Sequence, residues 1–307
     1  MPNPPMERPR RRVEQGIALI AVLWLLASLT MIAVLVSALS LNHLRATQAI
    51  GEAIQADSIA DSAIRITLLH LAAPQGQGRW AAPESRQIEL LGRMVTLKID
   101  LEGGRLDLNT GNKQLLFALF AANGWSQSEA KAFVARIEDW ADADDTTREG
   151  GAELHEYLAA GRNYGPRNAP FESVGELRQV LGGTHVSSDI LDSLTVYTHA
   201  RLPDGPAVTP AVTRALAWAN SHQLAGHAWS VSPRSSSGTT LGTQTSSAIG
   251  QVVRVHACAT LRQTTRCRLA IARITGNAGK PFQIFVWRSS WEFSMPATSS
   301  TEPVALN

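Results

Sequence analysis

The stretch IALIAVLWLLASLTMIAVLVSALSL, at residues 17–41, decides the architecture of this 307-residue chain. Its 25 residues carry no charge. A helix rising about 1.5 Å per residue would span roughly 37 Å here, which is enough to cross the hydrocarbon core of a membrane. Four arginines lie at positions 8–12, whereas Arg45 is the only basic residue among the first 20 after the run. The positive-inside rule therefore predicts a single-pass anchor with a cytoplasmic N-terminus and the bulk of the chain on the other side.

A secretory signal peptide cleaved after Val36-Ser37-Ala38 is the competing interpretation, because small residues stand where the peptidase needs them. The apolar stretch of a cleavable signal is usually about 7–15 residues long. The run at residues 17–41 is longer, so an uncleaved anchor is favoured.

The composition is that of a folded protein, with 44% apolar and 18% charged residues. The net charge of +2 says little about partners, because the four N-terminal arginines supply more than the whole excess. The eight histidines show no HExxH spacing, and neither a GxSxG nor a Walker motif occurs. The sequence therefore predicts a protein that is not an enzyme.

Apolar and small residues keep helical spacing beyond the apolar run until Pro74, which together with the glycines after it ends the pattern. On the wetter side, Asp61 and Arg65 have the spacing of an i,i+4 ion pair. One helix is therefore predicted from Ile17 to about residue 73, half of it in lipid.

Strand patterns stand on both sides of a helical region. Residues 86–101 alternate around Gly92 as an antiparallel hairpin does, and strands are predicted again at 251–262, 265–274 and 281–293. Between them lie helix start signals at Asn109-Thr110, Ser126, Ser173 and Ser187 or Ser188. The predicted organisation is a leader at 1–16, a transmembrane helix at 17–41 continuing to about 73, a sheet from 74–105 and 226–300, and an inserted helical module at 106–225.

Cys258 and Cys267 lie in a predicted hairpin whose turn falls near Arg262-Gln263. With a two-residue turn there, the two cysteines face each other as a non-hydrogen-bonded pair, close enough for a disulfide. Two buried free thiols are the alternative, because the turn lacks glycine or asparagine.

The junction before the apolar run resembles the class III signal of type IV pilins and pseudopilins. Four arginines precede Gln15-Gly16, and the apolar run starts at once at Ile17. In such proteins prepilin peptidase cuts on the cytoplasmic side after the glycine, which removes the charged leader and keeps the helix as an anchor. The resemblance implies cleavage between Gly16 and Ile17, followed by methylation of the new terminus.

Further segments resemble type II secretion system protein K, the largest minor pseudopilin. They are GIALIAVLWLLASLT from residue 16, DLNT at 107–110, IEDWADADD at 137–145, GGAE at 150–153 and NAPFESVGELRQVLG at 168–182. The match spans about residues 8–225 in the family's order. A later segment, PAVTPAVTRALAW at 206–218, lacks the asparagines of the family's second helix start, which puts the detail of that motif in doubt.

The resemblance implies an α+β fold: a pseudopilin fold with a long N-terminal helix and a small antiparallel sheet, plus a large inserted all-α (SAM-like) module. It implies a place in the bacterial inner membrane, with the bulk periplasmic, at the tip of the pseudopilus that exports folded proteins across the outer membrane. The implied partners are pseudopilins I and J, then H and the major pseudopilin G, prepilin peptidase and exported proteins, with no nucleic acid.

Ala21 stands at the fifth position after the expected cut, where pilin-type helices carry a glutamate. In those families the glutamate compensates the charged amino terminus of a neighbouring subunit. A carboxylate in the bilayer costs about 2.5–3.5 kcal/mol, so it should persist only where a partner exists. Protein K subunits lack this glutamate, in keeping with a subunit that has no neighbour ahead of it. A plain membrane anchor would also carry alanine there.

An acidic segment forms the second candidate site. Eight carboxylates lie between Glu138 and Glu156 against Arg148 alone, a balance of −7. An EF-hand is excluded, because Thr147 stands where that loop needs glycine. The resemblance implies a structural calcium ion in this segment, with side-chain ligands Asp142, Asp144, Asp145 and Glu153. An ordinary solvated acidic face is the alternative.

Two rival functions remain open. DLNT and PFESVGELRQVLG also resemble helix-hairpin-helix modules of membrane-anchored DNA-uptake receptors, although Asn123-Gly124-Trp125 replaces their Gly-apolar-Gly hairpin and the −7 cluster would repel DNA. The other rival is a generic bitopic periplasmic protein. Shortening of the chain by prepilin peptidase would distinguish a pseudopilin from it.

Overall fold

The computed structural model of the protein describes residues 13–74, 78–204, 208–224, 248–262, 264–289 and 304–305. The predicted leader up to Arg12, and residues 226–247 and 290–300 of the predicted sheet region, lie outside this range. A long N-terminal helix packs on one face of a six-stranded sheet, and a helical module lies between the second strand and the fifth. The predicted α+β class, with a long N-terminal helix and an antiparallel sheet, is confirmed.

Helix α1 is continuous over 60 residues, Val13–Ala72. It begins four positions before Ile17, so the expected cleavage site lies inside the helix. Its segment Leu19–Ser37 is the one stretch of the described chain that is long and apolar enough to cross a membrane. The side chains of this segment are exposed throughout. They are therefore free to contact lipid or other helices.

The sheet has the strand order β7-β6-β5-β2-β1-β8, and its neighbours are antiparallel except for β1 and β8. Its strands are β1 Glu84–Leu90, β2 Arg93–Leu101, β5 Val252–Leu261, β6 Thr264–Asn277, β7 Lys280–Ser289 and β8 Val304–Ala305, while β3 and β4 lie in the module. β2 and β5 pair directly, so strands that stand before and after the inserted module in the sequence are neighbours in one sheet.

The upper part of α1 packs on the inner face of this sheet. Ala56, Ala60 and Ala63 are fully buried there and allow the strands to approach the helix closely, while Ile64 and Leu68 fill the space between them. This burial of apolar surface is what fixes the sheet to the helix.

Three ion pairs, here called the α1–sheet ladder, also join α1 to the sheet. Glu52 accepts from Arg262 at 2.9 Å, Asp57 lies 3.8 Å from Arg266, and Asp61 accepts from Arg268 at 2.7 Å. The acidic residues follow one another along α1 in the same order as the arginines, which run from the turn at Arg262 into β6, so the helix and this strand run in the same direction.

The predicted Asp61–Arg65 pair does not form. Asp61 accepts two hydrogen bonds from Arg268 and one from Trp287 Nε1 at 2.8 Å, and Arg65 lies over the Trp287 ring at 5.1 Å. Arg268 donates to both oxygens of the Asp61 carboxylate, and Arg65 is engaged with the Trp287 ring instead.

The helical module has its own hydrophobic core, separate from the one under the sheet. Its helices are α2 Lys113–Ala121, α3 Gln127–Ala141, α4 Leu154–Ala159, α5 Ser188–Leu191 and α6 Pro210–Ser221, and its short strands are β3 Leu106–Asp107 and β4 Leu194–Thr195. Short 3-10 helices occur at Glu102–Gly104, Val174–Arg178 and Gly183–His185. Phe120, Phe133 and Tyr157 are its largest fully buried side chains.

Asp107 holds together the two ends of the chain segment that forms most of this module. Its carboxylate, in a residue only 1% exposed, accepts from the amides of Asn109 and Thr110 at 2.9 and 3.1 Å and from the amide of His199 at 2.9 Å. β3 and β4 pair in parallel beside it. The DLNT segment therefore connects the beginning of the module to the chain near His199, and it does not start a helix.

The predicted helix start at Asn109-Thr110 is wrong, whereas that at Ser126 is confirmed. Asn112 caps α2 by accepting from the amides of Gln114 and Leu115, because Asn109 exchanges hydrogen bonds with the backbone of Phe171. At α3, Ser126 forms a complete capping box with the glutamate three residues on.

Cys258 and Cys267 pair directly across β5 and β6 and form a disulfide, with a Cα–Cα distance of 4.1 Å. Arg262 begins the turn with φ +50°, a left-handed conformation reached here without glycine or asparagine, and Gln263 lies outside the described residues. Because Arg262 also pairs with Glu52 of α1, the disulfide lies near the end of the sheet that is closest to the apolar segment Leu19–Ser37.

Candidate functional site

The acidic segment connects the end of α3 to the start of α4. Asp142 is the C-terminal cap residue of α3, and Glu153 is the N-terminal cap residue of α4. Two of the four predicted calcium ligands thus stand at helix ends, and their charges are close enough to interact.

Asp139 makes the central contacts of this segment, although it was not among the predicted ligands. Its carboxylate is fully buried and accepts from the amides of Arg148 and Ala152 at 3.2 and 2.8 Å. A Cβ at Gly151 would lie 2.0 Å from Asp139 Oδ2, so glycine is required there. The GGAE segment therefore wraps around a carboxylate of the preceding helix, and its paired glycines are the local sequence feature that this contact requires.

Arg148 supplies positive charge to the cluster. Its guanidinium bonds to Asp139 at 2.6 Å and also to Asp142, and it lies 3.7 Å from Glu138. Hydrogen bonds to Asp139 and Asp142 hold the pKa of Arg148 above its ordinary value. One cation therefore neutralises part of a cluster that carries eight carboxylates.

Glu153 is the least compensated member of the cluster. It is 4% exposed, and neither carboxylate oxygen has a hydrogen-bond partner in the described chain. Burial, and then the charges of Asp139, Asp142, Asp145 and Asp144, raise the pKa of Glu153 to about 7. A buried carboxylate without donors is costly unless a cation compensates it.

Asp144 and Asp145 lie exposed and already have partners. Asp144 accepts from the amide of Thr146 at 2.9 Å, and Asp145 accepts from Asn168 Nδ2 at 3.1 Å. The amide oxygen of Asn168 is buried and lacks a partner in the described chain, as does one oxygen of Asp142. Asn168, which adopts φ +52°, is a second residue that the sequence analysis did not propose as a ligand.

The donor types suit a hard cation, because calcium takes carboxylate and amide oxygens. Unpartnered oxygens from Asp142, Glu153 and Asn168 belong to the same cluster. Within the described ranges, however, no three His, Cys, Asp or Glu side chains stand together in a metal-binding arrangement. Arg148 bonds to Asp139 and Asp142, so these two carboxylates are already paired with a cation of the chain itself.

The residues of the expected cleavage site lie in α1. Gly16 and Ile17 fall in its first turns, and Ala21 is an exposed position of the apolar run. Asn123-Gly124-Trp125, the place compared with a nucleic-acid-binding hairpin, links α2 to α3. Trp125 packs on Phe120 and Phe133 with ring centroids 5.3 and 5.0 Å away, so it contributes to the module core.

Comparison with known proteins gives a match to the family model "Type II secretion system (T2SS), protein K" over residues 100–199. The fold is similar to a chain of the crystal structure of the GspK-GspI-GspJ complex from the enterotoxigenic Escherichia coli type 2 secretion system. That match has a TM-score of 0.52 and 15% identity, and it covers 82% of this chain and 99% of that chain. No curated protein matches. The resemblance to protein K is thus confirmed over the module, and the fold agrees across most of the chain.

Proposed function

We propose that this protein is a minor pseudopilin of the type II secretion system, of the protein K type, placed at the tip of the pseudopilus. The observation that carries the proposal is the protein K match over residues 100–199, inserted between strands of a sheet that packs on a long, partly apolar helix. A long apolar helix alone would not distinguish it from a plain membrane-anchored protein.

The anchor and the assembly surface belong to one helix. Leu19–Ser37 would cross the inner membrane with the N-terminus cytoplasmic, so that the sheet and module lie in the periplasm. The Cys258–Cys267 disulfide supports that placement, because such bonds persist in oxidising compartments. Ile50 and Ile54 lie exposed on α1 above the span and would pack against the helices of pseudopilins I and J.

The module is the steric reason for the tip position. It carries a separate core of its own and projects from one sheet, so it would not be buried among stacked subunits of the shaft. Ala21 leaves no carboxylate in the bilayer to neutralise a subunit ahead of it. Pseudopilins I and J, then H and the major pseudopilin G, follow below it. The protein acts by assembly and is not an enzyme.

Secretion by living cells tests the proposal. In a strain that lacks protein K, expression of this chain with its cognate pseudopilins is expected to restore export of folded proteins into the medium. A cysteine at Ile54 is expected to crosslink to pseudopilin I or J, while one at Ala211, which is buried in the module core, is not. Export without any crosslink to I or J, or no export at all, would contradict the tip assignment.

We further propose that the acidic cluster holds a structural calcium ion, with Asp142, Asp144, Asp145 and Glu153 as side-chain ligands and Asn168 as an added oxygen donor. The unpartnered oxygens of Asp142, Glu153 and Asn168 support it. When bound, the ion would supply the positive charge that Arg148 alone does not provide, and it would tie α3 to α4.

Calcium is expected to stabilise the detergent-solubilised full chain against thermal unfolding, by about 2.7 kcal/mol at a concentration one hundred times the dissociation constant. Glu153→Gln should remove most of this gain. In EDTA the same variant should be at least as stable as the natural chain, since it removes a buried and repelled charge.

Glu149→Gln is the matched control, because Glu149 lies in the same loop with its side chain 91% exposed. That variant should keep the full response to calcium. Equal loss of response in both variants would mean that calcium only screens a solvated acidic face.

A further inference from the structure

A cleft of about 400 Å³ separates the outer face of the sheet from the helical module. Strands β2, β5, β6 and β7 form its floor, and α5 together with the start of α6 forms its roof. This volume lies within the range of small-ligand pockets, about 300–1,000 Å³. Its described lining includes none of the acidic segment, so the cleft is distinct from the proposed calcium site.

One row of paired residues crosses the floor. Lys98 pairs with His256, His256 with Leu269, and Leu269 with Arg288. Strands lie about 4.8 Å apart, so the two ends of this row are roughly 14 Å apart. Arg254 lines the cleft beside the row. The floor therefore presents three cations around one histidine.

The pKa of His256 also reflects the cations around it. It is 8% exposed, and burial, followed by the charges of Arg254, Lys98, Arg105 and Arg288, lowers the pKa of His256 to about 3. The imidazole therefore stays neutral at the centre of a positive surface.

Several guanidinium donors in the cleft have no partner in the described chain. Among the described residues, Arg254 donates only through its Nε, to Glu102, and Arg214 donates only through its Nε, to Asn123 at 2.8 Å. Arg288 makes neither an ion pair nor a side-chain hydrogen bond with any described residue. The three side chains thus leave hydrogen-bond donors available around one cavity.

Carboxylates offset only part of this charge. Lys98 lies 3.3 Å from Asp100, and Asp189 and Asp192 line the roof. The described lining residues include five cations, Lys98, Arg105, Arg214, Arg254 and Arg288, against these three carboxylates, which leaves a balance of +2 among them. The fully buried Glu102 beneath the floor reduces it to +1.

The start of α6 adds a partial positive charge from the roof. Thr209, Pro210 and Ala211 all line the cleft, and α6 is a helix of 12 residues. Thr209 caps the amide of Val212, whereas the amide of Ala211 has no acceptor within the helix because of its position in the first turn. Helix N-termini of this kind favour anions.

We propose that this cleft binds a small free oxyanion, of the phosphate or dicarboxylate class, through Arg254, Arg288 and Arg214. A planar guanidinium matches the paired oxygens of either group. An anion of one or two negative charges would balance the excess of the lining. It would also bridge the sheet to the module, because Arg254 and Arg288 lie on strands and Arg214 lies on α6.

Titration of the detergent-solubilised full chain tests this site. Inorganic phosphate or succinate is expected to show saturable binding by calorimetry, while sodium chloride of equal ionic strength is not. Arg288→Gln and Arg214→Gln should each weaken binding about tenfold, the effect of losing one charge-assisted hydrogen bond. Both side chains are exposed, so neither change should prevent folding. The stronger of the two probes identifies the ligand class.

Arg93→Gln is the matched control, since Arg93 is exposed on β2 and does not line the cleft. It removes the same charge and should leave affinity unchanged. Binding should also move the carbon-13 signal of the His256 ring. Absence of saturable binding with both probes, or equal weakening by Arg93→Gln and Arg288→Gln, would overturn the proposal.

Discussion

Replacing Glu102 with alanine is expected to lower the free energy of unfolding by about 3–5 kcal/mol. The carboxylate is fully buried, accepts from Arg254 Nε at 2.5 Å and lies 3.7 Å from Arg105 Nη1. Without it, two neighbouring guanidinium groups remain with no carboxylate between them, and Arg105 is only 8% exposed. Urea denaturation of the full chain in detergent, followed by tryptophan fluorescence, measures the loss.

Glu172→Ala is the control that separates the effect of burial from the loss of an ion pair. Glu172 also pairs with an arginine, Arg167, but its side chain is 75% exposed. Removal of such a surface pair should cost about 1 kcal/mol or less. A similar cost for both variants would show that the Glu102 cluster contributes no more than a surface ion pair.

Replacing Gly16 with leucine is expected to abolish removal of the leader and, with it, secretion. In the natural chain, cells that contain prepilin peptidase should yield a terminus at Ile17, shorter by the 16 residues of the leader. The variant should keep Met1, so that four arginines remain joined to the helix. Intact-mass analysis of membrane-extracted protein reports the terminus, and exported protein in the medium reports the function.

Gly51→Leu is the control for this change. Gly51 lies in the same helix, and a Cβ there would meet no atom within 4 Å. It should be processed normally, and both substitutions should favour the helix, by about 1 kcal/mol per glycine removed. A terminus at Met1 in the natural chain, with the peptidase present, would contradict the pseudopilin assignment.

The architecture follows from signals that are local in the sequence. The helical pattern that ends near Pro74, the alternation around Gly92 and the helix start at Ser126 depend on residues close together in the sequence, and the structure confirms each of them. Errors arise where a side chain has a distant partner. Asn109 hydrogen-bonds to the backbone of Phe171 and therefore does not cap α2. Asp61 pairs with Arg268 and therefore does not pair with Arg65.

Distant contacts also explain why only part of the candidate sites could be predicted from the sequence. Asp142, Asp144, Asp145 and Glu153 stand out because acidic residues are dense there, and the protein K resemblance adds a role. Asp139 is one of these acidic residues, but its role comes from burial and from contacts with the loop that follows, and the role of Asn168 likewise comes from contacts across loops. The oxyanion cleft draws its residues from the sheet and the module, so linear spacing contains no trace of it.

The α1–sheet ladder adds a set of polar contacts to the apolar packing that fixes the sheet to the helix. Its rungs at Glu52, Asp57 and Asp61 follow one another along the helix axis. Thrust transmitted up the helix therefore acts on them in shear, and all three must yield together for the sheet to slide. A pull at right angles would instead open them one after another. In the pseudopilus proposed above, these contacts would therefore resist a push along α1 better than a pull across it.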